Sequence, residues 1–130
     1  MPKKVLIAED QPDSRRLLED ILTAFQPYGV ITLIARDGNE AYDIAVREKP
    51  ELILLDVMMP GISGIDVCKK VKSHPDLMNT YVIMVSARIQ QEDRTEAAMA
   101  GADEYMTKPY EVSMMMERIQ MVLGVNLLQG

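Results

Sequence analysis

The chain has 130 residues, 48% of them hydrophobic, and a formal net charge of −6, which suits one globular domain able to bury a core without disulfides or a structural metal. The acidic balance argues against nucleic acid or an anionic membrane surface as the main partner, because both are polyanions, and favours basic ions or basic protein surfaces. A lone cysteine, Cys68, excludes an internal disulfide and reads as a buried, inert thiol in a reducing compartment.

The opening MPKKVLIAED has too short an apolar run for a secretion signal, and no later segment reaches the ~20 apolar residues of a membrane span; a cytoplasmic location is expected. Residues 5–8 (VLIA) predict a first strand that ends on two acids, Glu9 and Asp10. Pro12 and Asp13 then signal a helix start, and Leu17, Leu18, Ile21, Leu22 and Phe25 follow at helical spacing. Residues 30–35 predict a second strand, and Asp37-Gly38 opens a helix with Ala41, Ile44 and Ala45 on its apolar side. The run at 52–55 (LILL) is followed at once by Asp56, and Ile65, Cys68 and Val71 form the next stripe after Ser63-Gly64. Residues 81–86 predict a fourth strand, Ala97 and Ala98 the inner face of a helix before Gly101, and 104–107 a weaker fifth strand. Gly101 suits a helix C-terminus. Val112, Met115, Ile119 and Leu123 mark a last helix. Short apolar runs alternating with helical segments are the sequence form of a parallel sheet covered on both faces, here a (βα)₅ unit of the α/β class.

In such an open sheet, ligands bind beyond the carboxyl ends of the strands. The residues there are Glu9 and Asp10 after strand one, Asp56 after strand three, Ser86 at the end of strand four, and Lys108 after strand five. Each alone has a structural reading: Asp10 as a helix cap, Asp56 as a turn starter, Lys108 as a solvated lysine. Together, three carboxylates repel one another and hold protons unless a hard divalent cation joins them, which implies a Mg²⁺ site. A carboxylate can accept a phosphoryl group if metal, ammonium and hydroxyl donors offset its charge. Asp56, Lys108 and Ser86 offer those parts.

These segments resemble the response-regulator receiver domains of two-component signalling, from Lys4 to about Val122. KKVLIAED is similar to the family's first strand with its acidic pair, and LILLDVMMPGISG to its phosphorylation-site strand and loop. The resemblance implies a flavodoxin-like fold with strand order 2-1-3-4-5, Asp56 as phosphoacceptor, and metal ligation by Glu9, Asp10, Asp56 and the Met58 backbone carbonyl. It also implies loop roles for Pro60, Gly61 and Gly64, a phosphoryl hydrogen bond from Ser86, Tyr105 as the switch aromatic, and a cis Lys108–Pro109 bond. The donor would be a phosphohistidine on a histidine kinase or phosphotransfer protein. The face made by helix four, strand five and helix five would control a downstream partner or a homodimer contact. Residues 1–124 would form the receiver and 125–130 a short tail, with no output domain, no direct nucleic-acid contact and no membrane contact.

Met115 reads as core, whereas Met114 and Met121 lie off that stripe and are expected on the output face. His74 reads as a helix-end or loop residue rather than a phosphate donor. Arg88, two residues past Ser86, either tunes water access to the phosphoryl group or is solvated. A flavin carrier of the same fold would need a hydroxyl- and glycine-rich phosphate loop where this chain has EDQPD, and an aspartyl phosphatase would place a D-x-D after the first strand. The remaining alternative is an adaptor that acts through binding without being phosphorylated.

Overall fold

The computed structural model describes residues 2–127. Eleven elements follow in order: β1 (Lys3–Ala8), α1 (Pro12–Thr23), a 3₁₀ turn (Gln26–Tyr28), β2 (Val30–Ala35), α2 (Gly38–Glu48), β3 (Leu52–Leu55), α3 (Gly64–Ser73), β4 (Tyr81–Ser86), α4 (Gln91–Met99), β5 (Glu104–Thr107) and α5 (Val112–Leu123). The five strands pair in parallel in the order β2-β1-β3-β4-β5, a flavodoxin-like sheet.

Strand residues alternate between two cores, as the two-residue period of a pleated strand requires. Leu6, Ala8, Ile53, Leu55, Val82 and Met84 face one side with α2, α3 and the end of α4. Val5, Ile7, Leu52, Leu54, Ile83 and Val85 face the other, under α1 and α5. Because both faces are covered, β3 is buried at every position, which explains its unbroken apolar run. Val125 and Leu127 of the tail pack against the α1/α5 side; residues 128–130 lie outside the described part. Among the described residues, no helix is long and apolar enough to cross a membrane.

Local signals fix the helix ends. Pro12 takes the first turn of α1, Asp37 caps α2 by accepting the Glu40 N–H at 2.8 Å, and Ser63 caps α3 by accepting that of Asp66 at 3.2 Å. Gly101, just past α4, has φ +99°, as its predicted place at a helix end requires.

The fold departs from the sequence reading in five places. β1 begins at Lys3, because pairing with β2 extends past the apolar run to Lys3 opposite Val30. Phe25 is fully buried but lies beyond α1, where the chain tightens into the 3₁₀ turn. Leu17 is 41% exposed, at the outer edge of the stripe that Leu18, Ile21 and Leu22 bury. In α4 the inward residues are Asp93 and Ala97 rather than Ala97 and Ala98, because neighbours in a helix diverge by 100° while i and i+4 share a face. Val112 is 42% exposed: as the first residue of α5, with Cβ tilted toward the helix N-terminus, it precedes the turns that cover the sheet.

Candidate functional site

Strand register assembles the site. Ala8 pairs with Leu55, so Glu9 and Asp56 leave the sheet side by side, and the Asp56 N–H donates to the Ala8 carbonyl at 3.0 Å. Ser86 pairs with Thr107, and the Lys108 N–H donates to the Ser86 carbonyl at 2.8 Å. Lys108 Nζ reaches back to two carboxylates, contacting Glu9 Oε1 and lying 3.0 Å from Asp56 Oδ2. The other oxygens are held by backbone: Gln11 N–H donates to Glu9 Oε2 at 3.1 Å, and Met58 N–H to Asp56 Oδ1 at 3.0 Å. Gly64 allows this packing, since a Cβ there would fall 2.0 Å from the Asp56 carbonyl oxygen.

The electrostatics follow from burial. Glu9 is 1% exposed, and burial pushes its carboxyl up to about 7; neighbouring Asp56 adds to the rise while Lys108 opposes it. Burial alone would depress the Lys108 ammonium, but Glu9 and Asp56 outweigh it and hold it above its ordinary value. Glu9, Asp10 and Asp56 each place a carboxylate oxygen within 4.8 Å of the others. Three carboxylates facing one ammonium leave an excess of negative charge on hard oxygen donors, so the donor set fits a hard divalent cation.

The structure thus brings Glu9, Asp10, Asp56 and Lys108 together. Ser86 sits buried at the end of β4, beside β3, and its Oγ accepts the Arg88 N–H at 3.2 Å. Met58 has an exposed side chain and its backbone against Asp56. Tyr105 stands one strand further out, with its hydroxyl donating to the Arg88 carbonyl at 2.9 Å and the Arg94 guanidinium 5.1 Å from its ring centre. The Lys108–Pro109 bond is cis. Met114 and Met121 are exposed, while Met115 is buried. His74 is the C-cap of α3, its Nδ1 accepting the Asp76 N–H at 3.0 Å. Cys68 is buried, and burial raises its thiol to about 11, as an inert thiol requires.

Two residues at the site escaped the sequence reading. Arg15 Nη1 donates to the carbonyls of Glu9 and Asp10 at 3.2 and 3.3 Å, tying the acidic loop to α1. Its place in the first turn after EDQP was the available signal. Asp93 pairs with Arg88 at 2.9 Å, and both line an open cleft of about 540 Å³ with Asp10 and Met58.

A parallel sheet carrying carboxylates, a hydroxyl and a lysine at its carboxyl edge defines a class, the receivers of two-component signalling. Residues 5–120 match the family described as the response regulator receiver domain, and the chain belongs to that family. It is 38% identical over 120 residues to the response regulator PleD of Caulobacter vibrioides, covering 92% of this chain and 26% of PleD. It is 36% identical to the polar-differentiation response regulator DivK of Brucella anthropi, covering 95% of this chain and 98% of DivK. The chain therefore spans about a quarter of the first relative and nearly all of the second. The signal receiver domain of a DNA-binding response regulator from Colwellia psychrerythraea superposes with a TM-score of 0.86 at 26% identity, covering 94% of this chain and 98% of that one.

Proposed function

We propose that this receiver, formed by residues 1–124, takes a phosphoryl group onto Asp56 from a phosphohistidine of a histidine kinase or phosphotransfer protein, in the cytoplasm. The observation that carries the reading is Lys108 Nζ held between Glu9 and Asp56 at the edge of a three-carboxylate cluster. An Asp56 carboxylate oxygen attacks phosphorus in line. The P–N bond to the donor imidazole breaks, and its electron pair returns to the ring, which takes up a proton. Glu9, Asp10, Asp56 and the Met58 carbonyl oxygen would hold Mg²⁺, which supplies positive charge against the transferred group when bound. Lys108 supports the reaction by placing a fixed ammonium where phosphoryl charge gathers, and Ser86 by offering a hydroxyl to a phosphoryl oxygen. Hydrolysis of the aspartyl phosphate uses the same surroundings, so the protein acts as a self-catalysed switch rather than as a turnover enzyme.

Phosphorylation adds charge beside Ser86. Its hydroxyl and the Tyr105 ring then rearrange together and remodel the face of α4, β5 and α5 for a downstream effector or a second copy of the chain. Incubation with Mg²⁺ and acetyl phosphate, followed by intact mass, tests the reading. A Mg²⁺-dependent phosphoryl adduct absent from Asp56→Asn is expected; no adduct, or an equal adduct on the variant, would contradict it.

A further inference from the structure

Outside the carboxylate cluster, one residue touches both members of the proposed switch pair. Arg88 lies in the loop between β4 and α4. Its N–H donates to Ser86 Oγ at 3.2 Å, its carbonyl accepts from the Tyr105 hydroxyl at 2.9 Å, and its guanidinium donates to Asp93 Oδ1 at 2.9 Å. The backbone of Arg88 thus joins the end of β4 to β5, and its side chain joins that junction to the first turn of α4.

The α4 end of this link is poorly attached by other means. α4 buries only Asp93 and Ala97 among its nine residues, and its N-cap, Gln90, makes no side-chain cap bond. Asp93 is 8% exposed, and a buried carboxylate left without its cation is costly. A shift of the loop therefore either drags α4 with it or separates this pair. Arg94, the next residue, lies over the Tyr105 ring, so the same turn of α4 meets Tyr105 from a second direction.

We propose that the Arg88–Asp93 ion pair is the coupling element that carries a change at the Asp56 site to α4. The proposal rests on reading Asp56 as the phosphoacceptor. Arg88 and Asp93 are positioning residues: they act through Ser86 and the start of α4. Because the pair is a unit, losing either partner breaks the same link, and losing both breaks nothing more.

The test uses the full chain labelled with 3-fluorotyrosine and ¹⁵N, titrated with beryllofluoride in Mg²⁺ and followed by NMR. Parent, Asp93→Asn, Arg88→Ala, the double variant and Asp93→Glu are compared. In every variant the amides flanking Asp56 should still respond. The response of α4 should fall at least about threefold in each single loss variant, fall no further in the double variant, and return in Asp93→Glu, while Tyr105, bonded to the Arg88 backbone carbonyl, still responds. A pair that merely supports the fold would lower the melting temperature and leave these responses at full size. A full α4 response in the single variants, or additive losses in the double, overturns the coupling while leaving the Asp56 reading intact. A parent that shows no response beside Asp56 overturns both.

Discussion

The helices that follow the two central site strands are attached in different ways. α3, after the strand that carries Asp56, buries Gly64, Ile65, Val67, Cys68 and Val71 and starts at a Ser63 side-chain cap. α4, after the strand that carries Ser86, buries two residues, one of them charged, and starts without such a cap. The Asp56 side is therefore fixed by close packing, whereas the Ser86 side is held by a few polar links. A rigid flank and a loosely held one thus lie on adjacent strands.

The largest effect should come from breaking the rigid flank. Gly64→Ala drives a Cβ into the Asp56 carbonyl, where backbone cannot give way, and should cost about 3 kcal/mol by urea unfolding and lower phosphoryl uptake as well. A midpoint unchanged from the parent would mean that α3 is not seated against Asp56.

A smaller effect is expected at the outer edge of the other flank, where Arg118 holds Glu104 through two bonds of 2.8 and 2.6 Å and Tyr81 donates to Glu104 at 2.6 Å. Burial alone would raise the Glu104 carboxyl, but Arg118 and Tyr81 outweigh it and keep it below its ordinary 4.5. A depressed carboxylate stabilises the fold above its unfolded value and loses that contribution as pH falls through the folded one. Arg118→Ala should therefore cost about 1 kcal/mol at neutral pH, with the gap to the parent closing in acid. A gap that widens in acid would reverse the assignment.

The smallest effect is a kinetic one at Cys68, whose Sγ lies 3.4 Å from the Ala100 carbonyl, where α3 meets the end of α4. Thiol labelling at mildly alkaline pH should be slow in the native protein and should quicken only about twofold to fivefold in Asp93→Asn, as α4 opens more often. An unchanged rate would show that α4 is held by something other than the Arg88 link.

Most of the sheet and the carboxylate centre were legible because one rule covers both: an apolar run marks a buried strand, and the polar residues directly after it mark the ligand edge. β2 to β5 have the bounds that their apolar runs predicted, and Glu9, Asp10, Asp56 and Lys108 meet because strand register places them. What escaped depends on contacts between loops and helices that no local pattern encodes. Asp93 sits in QEDRTEA beside Glu92 and is distinguished only by which way its turn of α4 faces. Arg88, though its side chain stays half exposed, also pairs with it, and Arg15 finds two carbonyls that exist as partners only after the acidic loop has folded.

Asp56, and not a neighbouring acid, is expected to receive the phosphoryl group. Borohydride reduction after treatment with acetyl phosphate and Mg²⁺, followed by peptide mapping, reads the site directly, because an aspartyl phosphate is reduced to homoserine. Homoserine at position 56, dependent on Mg²⁺, is the predicted result. Reduction at Glu9 or Asp10 instead, or at no acid, would contradict the account.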